Sequence, residues 1–348
     1  MDLGGEKMER KIRFGLIGCG MIASFHAQAL SVLPQAELSG AYDASETAAK
    51  RFCGKWGGQV YGSIDQMLAD PAIDAVCILT PNGLHAPMAM QALEAGKHVV
   101  VEKPMAITLE DADRLIALSQ STGRLVCVIS QLRFSPAVQA VRRAVEEGAF
   151  GRITSASLSM KYWRDEAYYA SSWRGTWKMD GGGALMNQGI HGVDLLQYLV
   201  GPVTRVSAFC KTQTRPIETE DSAAAALEFA CGAVGTLEGS TTCFPGYPRR
   251  IEICGEKGSV VLEEDEIVRW DLPEERPETQ GSVSAAASDP SAIRAEGHER
   301  QLANMVRAIL GEEPLWVDAK EGKKPVEIIL SIYRSSETGR PVEIRKGE

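Results

Sequence analysis

Ile12-Arg13-Phe14-Gly15-Leu16-Ile17 runs straight into Gly18-Cys19-Gly20-Met21-Ile22-Ala23, and these twelve residues decide the N-terminal fold. The first six are mostly apolar and read as a buried strand. The next six are G-x-G-x-x-A and open a helical pattern from Met21 to Leu33. Strand, glycine turn and helix in this order form a dinucleotide fingerprint. Gly18 permits the tight turn, Gly20 admits a pyrophosphate close to the backbone, and Ala23 lets helix and strand pack closely. The phosphate charge then meets the helix N-terminus, where Met21 and Ile22 form the first turn. The second strand, Ala36 to Tyr42, ends at Asp43, twenty residues after Ala23. A carboxylate there accepts the ribose hydroxyls of NAD and repels the 2′-phosphate of NADP. Asp43 also suits the cap of the following helix, Ser45 to Trp56, and one side chain can do both.

The alternation continues downstream. Strands are expected at Ala75 to Leu79, Val99 to Val101 and Leu125 to Ile129, with helices at His85 to Ala95 and Leu109 to Ser121. Strands alternating with helices predict an α/β domain over residues 8–130, a Rossmann-type, doubly wound parallel sheet. Ligands of such sheets bind at the carboxyl ends of the strands. Thr80, Pro81, Asn82 and His85 follow one strand, Glu102 and Lys103 the next, and Gln131 the last, so these residues are expected to bind the cofactor. The bland reading makes Pro81-Asn82-Gly83 a plain turn and Lys103 a surface lysine.

The pattern changes after Phe134. Ser135 to Glu147 reads as a helix ended by Gly148, and Ile153 to Trp163 as a strand. A helix from Gly189 to Val200 precedes a strand-rich block. Its strands are Ala223 to Ala230, Ala233 to Thr241, Arg250 to Cys254, Ser259 to Leu262 and Ile267 to Trp270. Helices His298 to Leu310 and Gly322 to Thr338 follow. Residues 131–348 are therefore expected to form an α+β domain for substrate binding and oligomerisation, with an open, mostly antiparallel sheet. Pro277 to Pro290, rich in Ser, Ala and Pro, reads as a surface loop.

Composition narrows the partners. A length of 348 residues suits two domains, and 44% hydrophobic with 24% charged residues is ordinary globular composition. A net charge of -9 argues against nucleic acid or an anionic membrane as the main partner. The eight cysteines include no C-x-x-C pair. They fit a reducing cytoplasm, and no metal site is expected. Met1 to Arg10 lacks an apolar core, so no signal peptide is expected, and Met8 offers a second start. No apolar stretch reaches membrane-spanning length.

Taken together, four segments resemble the glucose–fructose oxidoreductase/inositol dehydrogenase family, Gfo/Idh/MocA, over nearly the whole chain. They are the glycine turn, Thr80-Pro81-Asn82 with His85, Glu102-Lys103-Pro104, and Gly181-Gly182-Gly183-Ala184-Leu185-Met186-Asn187-Gln188-Gly189-Ile190-His191 with Asp194. The resemblance implies a Rossmann domain joined to an α/β domain whose open sheet often mediates oligomers. It implies NAD(P)-dependent oxidation or reduction of sugars, sugar derivatives or inositols. It further implies that Lys103 touches the reacting hydroxyl, that His191 is the acid/base, and that the Lys-Pro bond is often cis. One position departs: many members carry Asp four residues before the histidine, where this chain has Asn187. Some sugar-nucleotide dehydrogenases of the family carry Asn there too.

Alcohol oxidation needs a hydride acceptor and a base for the hydroxyl proton. His191, at the start of an apolar helix, suits a neutral base because the dipole lowers its proton affinity. Lys103, partly buried, is expected to polarise the oxygen. Asn187 lies one turn before His191 and has no charge with which to raise the imidazole pKa. It is expected to orient a sugar through its amide, and Asn187→Asp to raise that pKa by roughly a unit. Tyr162, Trp163, Tyr168, Tyr169, Trp173 and Trp177 crowd into sixteen residues, where an even spread gives one aromatic. Such faces stack on sugars or anchor interfaces. Trp163, Trp173, Arg164 and Arg174 join Lys103, Asn187 and His191 as expected substrate contacts, the arginines for a carboxylate, phosphate or cofactor. A capping or buried histidine, and a subunit interface, are the bland readings of the same residues.

The leading expectation is an NAD-dependent dehydrogenase acting on a carbohydrate-like small molecule, as a homodimer or homotetramer. The alternatives are a redox-neutral glycoside-cleaving or epimerising enzyme using transient oxidation, and a non-catalytic NAD sensor.

Overall fold

Six short segments build the first sheet of the computed structural model, which describes residues 10–264, 266–278 and 295–344. They are β1 (Ile12–Ile17), β2 (Ala36–Tyr42), β3 (Gln59–Val60), β4 (Ala75–Ile78), β5 (His98–Val101) and β6 (Val126–Val128). All pair in parallel, in the order β3-β2-β1-β4-β5-β6. Every residue of β4 is buried, as a sheet covered on both faces requires. The covering helices are α1 (Met21–Ser31), α2 (Glu46–Trp56), α3 (Ile64–Ala69), α4 (His85–Glu94) and α5 (Leu109–Thr122). Strand order reverses between β1 and β4, which opens a crevice at their carboxyl ends.

The remaining elements begin with α6 (Pro136–Glu146), β7 (Ile153–Lys161), α7 (Ile190–Val200), β8 (Val203–Lys211), β9 (Ser222–Phe229) and β10 (Val234–Ser240). They continue with β11 (Arg250–Gly255), β12 (Gly258–Glu263), β13 (Glu266–Asp271), α8 (Glu296–Leu310), α9 (Ala319–Thr338) and β14 (Val342–Glu343). The second sheet runs β13-β12-β11-β7-β10-β9-β8-β14. Only the β7–β10 pair is parallel among these pairings. Leu195 and Leu199 of α7, and Ile328, Ile329 and Ile332 of α9, pack with Leu158, Leu227 and Ile253 of this sheet in one core. The other face turns Phe209 (74% exposed) and Val234 (59% exposed) outward.

Residues beyond 295 also return to the first sheet. Leu302, Met305 and Val306 of α8 share a core with Ile12, Phe14 and Leu16 of β1. Val128 N donates to Val317 O at 3.1 Å.

Among the described residues no helix is long and apolar enough to cross a membrane, and all eight cysteines are free. The expectations for Met1 to Arg10 and for the Pro277 to Pro290 loop lie outside the described residues, apart from Arg10, Pro277 and Glu278.

Candidate active site

The crevice at the β1/β4 switch widens into a cleft of about 1160 Å³ that runs between the two sheets. Single small-molecule sites span roughly 300–1,000 Å³, so the cleft has room for a dinucleotide and a second molecule. Gly18 makes the turn out of β1 with φ +101°, and a Cβ there would stand 2.6 Å from Leu79 O. Only glycine fits that backbone. A Cβ on Gly20 would meet nothing within 4 Å, so the turn leaves open space in front of the α1 N-terminus. A pyrophosphate suits that cradle. Met21, Ile22, Thr80, Pro81, Asn82, Glu102 and Gln131 also line the cleft.

Asp43 lines it too, held by two backbone donors. Cys19 N reaches Oδ2 and Ser45 N reaches Oδ1, both at 2.8 Å. The helix cap itself is Ser45, whose Oγ accepts from Ala48 N. Asp43 is thus fixed at the end of β2 as the turn needs, facing the space beside Gly20.

His85 does not line the cleft, contrary to its expected cofactor role. It is buried, with Nδ1 2.7 Å from Pro104 O and Nε2 2.7 Å from Thr80 O. Both ring nitrogens are committed to backbone, so His85 ties the Thr80 loop to the Lys103–Pro104 segment, whose peptide bond is cis. Burial lowers its pKa and the two carbonyls oppose that shift.

The carboxyl end of β5 carries Glu102 and Lys103. Glu102 Oε1 lies 2.9 Å from His26 Nε2 and 3.6 Å from His298 Nε2. These three could hold a metal ion by position, a grouping that sequence spacing could not reveal. Lys103 N donates to Glu102 Oε2 at 3.2 Å. Despite its burial, the hydrogen bond with His26 and the nearby His298 imidazole hold the Glu102 carboxyl well below the usual range, so it stands as an anion beside Lys103. Lys103 Nζ donates to Asn187 O at 2.8 Å. Burial lowers the amine pKa, and Arg164 and Arg174 add to that, against Glu102 and Asp180.

His191 sits in the first turn of α7, after one turn of π-helix over Ala184–Gly189. Asp194, a turn further on, stays out of the cleft. It takes two hydrogen bonds from the buried Arg133, at 2.8 and 2.6 Å, and so pins α7. Burial, then the Lys103 charge, hold the His191 imidazole well below its ordinary value. It is neutral at pH 7 and able to accept a proton.

The π-turn redirects Asn187. Its Nδ2 donates to Asp180 Oδ1 at 2.6 Å, and its Oδ1 accepts from Gln188 Nε2 at 3.1 Å. The expected convergence on His191 assumed α-helical spacing, which the wider turn breaks. A carboxylate does stand at this point, but seven residues earlier in the chain. Asp180 was missed by sequence reasoning; a polar residue directly before a glycine run was the only signal.

The opposite wall comes from the aromatic segment. Arg164 NH2 donates to Gln188 Oε1 at 2.8 Å. The Arg174 guanidinium lies 4.2 Å over the Tyr168 ring and 5.1 Å from that of Trp173. Arg164, Trp173 and Arg174 line the cleft, with Tyr162 and Tyr168. Trp163 does not, correcting the expected substrate contact. Along the extended chain, successive side chains alternate. Tyr162 and Arg164 therefore face the cleft, while Trp163 turns to Phe244 and Arg215. Arg249 and Glu264, also missed, pair at 3.2 Å in the same wall. Their long separation from the glycine-rich motifs gave no sequence signal.

Comparisons with known proteins agree with this fold. A model described as an oxidoreductase family with an NAD-binding Rossmann fold matches residues 12–130. A second, the GFO/IDH/MocA C-terminal domain, matches residues 138–261. The scyllo-inositol 2-dehydrogenase (NAD(+)) of Bacillus subtilis is 30% identical over 266 residues, 73% of this chain and 75% of that protein. A levoglucosan dehydrogenase of Pseudarthrobacter phenanthrenivorans is 30% identical over 293 residues, covering 73% and 74%. The WlbA dehydrogenase of Bordetella pertussis, solved with NADH and UDP-GlcNAcA, superposes with a TM-score of 0.89 at 34% identity, covering 97% of this chain and 99% of that one.

Proposed function

The chain belongs to the Gfo/Idh/MocA family of NAD-binding oxidoreductases, and from that premise we propose that its substrate is an acidic sugar, foremost a sugar nucleotide carrying a carboxylate, oxidised or reduced at a secondary alcohol. The observation that carries this reading is the charge of the inner cleft. Lys103, Arg164 and Arg174 meet there and outnumber the Glu102 carboxylate beside Lys103, while Arg249 pairs with Glu264 and Asp180 is bonded to Asn187. A cationic pocket lined by tyrosine and tryptophan fits an anionic sugar, with guanidiniums for the carboxylate or phosphate and rings for the apolar sugar face. The UDP-GlcNAcA complex of the WlbA relative supports it.

Gly18, Gly20, Asp43 and the loop from Thr80 to Asn82 would hold NAD. When bound, it supplies the hydride acceptor or donor. His191, kept neutral by burial, takes the hydroxyl proton. Lys103 donates to the same oxygen and stabilises its developing negative charge. The Asn187 backbone carbonyl holds Lys103 Nζ in place, while the Asn187 side-chain amide is held by Asp180 and Gln188.

The test is NADH absorbance on mixing the protein and NAD+ with UDP-linked uronic acids, free sugar acids, neutral sugars and inositols. Turnover is expected with the acidic sugars. Turnover of neutral polyols alone refutes the anionic substrate.

A further inference from the structure

Asp180 is 1% exposed and joins three segments that lie apart in the chain. Its Oδ1 accepts from Asn82 Nδ2 at 2.8 Å and from Asn187 Nδ2 at 2.6 Å, and its Oδ2 from Gly175 N at 2.8 Å. Asn82 stands on the loop after β4, at the cofactor end of the cleft. Asn187 stands on the substrate wall. Gly175 closes the segment that carries Tyr168, Trp173 and Arg174. Backbone contacts reinforce the joint. Asn82 Nδ2 also reaches Asp180 O at 3.0 Å, and Gly83 N donates to Met179 O at 2.8 Å. A Cβ on Gly83 would stand 2.7 Å from Lys178 O, so the two segments touch only because that position is glycine. Three N–H donors converge on one carboxyl, which matches an ionised, acceptor-only group.

We propose that Asp180 is a positioning residue that holds the cofactor loop and the substrate wall in one register through Asn82 and Asn187, so that losing its charge loosens both together. The inference rests on the oxidoreductase reading for what each wall binds. It adds a single proton that controls both.

The groups around Asp180 set where that proton binds. Burial raises the carboxyl pKa to about 6, against the Gly175 and Asn187 donors and the charges of Lys103 and Arg174. Tyr168 and Tyr169 face it as neutral phenols, their own pKa values raised. Glu220 is the nearest rival. It accepts from Gly183 N and Leu185 N at 2.8 Å, and burial lifts its pKa to about 7. The Asp180 pKa lies above its ordinary value, so the anion, with its three hydrogen bonds, prevails above about 6 and is lost as pH falls through that value. A dinucleotide that needs the held loop binds the anionic form more tightly. Its affinity then falls by up to about tenfold per pH unit below the transition.

Calorimetry with NAD+ as the probe, from about pH 8 to about pH 5, tests this on wild type, Asp180→Asn and Asn82→Leu. Wild type is expected to weaken several-fold as the pH falls through about 6. In Asp180→Asn the amide nitrogen replaces Oδ2 and opposes the Gly175 N–H, and the uncharged Oδ1 is a weaker acceptor for Asn82 and Asn187, so binding is several-fold weaker at the alkaline end and the step vanishes. Asn82→Leu removes the link from the other side and is expected to be flat as well. A step that persists in Asp180→Asn belongs to Glu220 or another group and overturns the proposal. So does wild-type affinity in Asp180→Asn. If that variant does not fold, a flat wild-type profile, or an unchanged step in Asn82→Leu, overturns it equally. Absence of NAD+ binding to wild type at about pH 8 is a different failure: it strikes the cofactor reading itself and takes this inference with it.

Discussion

Asn187→Asp changes the electrostatics of the site with almost no change in shape. The amide nitrogen it replaces lies 2.6 Å from Asp180 Oδ1, so the variant sets two carboxyl groups face to face. With charge centres roughly 4 Å apart and an effective dielectric of about 20, two anions there repel by about 4 kcal/mol. That corresponds to about three pK units, so the pair keeps one proton near neutrality. A pair with one proton carries one negative charge, the same as Asp180 alone. The rise of roughly a unit in the His191 pKa expected from sequence is therefore replaced by a smaller one at neutral pH. The cost shows in stability instead. The retained proton means that the folded protein binds more protons than the unfolded chain, so stability falls as pH rises from the ordinary carboxyl pKa through the raised one. Thermal melts of variant and wild type at about pH 5 and about pH 8 read this directly. The variant is expected to trail wild type slightly in acid and by about 4 kcal/mol in alkali. An equal deficit at both pH values refutes the paired-carboxyl reasoning.

Lys103→Met and His191→Ala are each expected to lower kcat by about a hundred- to ten-thousand-fold, with NAD+ affinity by calorimetry nearly intact; near-full turnover in His191→Ala moves the base elsewhere. Asp43→Ser is expected to narrow a preference for NAD over NADP, since the carboxylate faces the turn and Ala44-Ser45 offers no arginine for a 2′-phosphate; equal binding of both by wild type contradicts this. The outward Phe209 and Val234 predict a homodimer or homotetramer through the second sheet. Light scattering that finds a monomer at micromolar concentration, or an unchanged assembly in Phe209→Asp, counts against that surface.

What the sequence made legible follows from range. β1, its glycine turn and α1 are local features, and Ile12–Ile17 and the start at Met21 stand where the pattern put them. β3 has two residues, Gln59 and Val60, too few for any periodicity to register. β8 was hidden for another reason. Its outward side carries Phe209 among Arg205 and Ser207, so apolar residues fall on both faces and the alternation blurs. The same split holds in the site. Lys103, Asn187 and His191 come from compact motifs and meet in one cleft. The His26–Glu102–His298 group and the Asp180–Asn82 contact are assembled by the fold across long stretches of chain, where no local spacing could show them. Trp163 was misplaced because clustering counts residues without regard to which side of an extended segment each one faces.

The return of α8 to the first sheet bears on how the protein is made. A nascent chain folds from its N-terminus as it emerges, and the dinucleotide turn is among the earliest segments to appear. Yet the apolar side of β1 that supports this turn is covered by Leu302, Met305 and Val306, which arrive late. Until then Ile12, Phe14 and Leu16 lack part of their packing, and chaperones have a reason to linger on the growing chain. For protein engineers, the nucleotide-binding half is correspondingly not a portable cassette. A fragment cut after residue 130 leaves behind the helix that completes its core, and a graft of that half onto another enzyme must bring residues 296–310 with it.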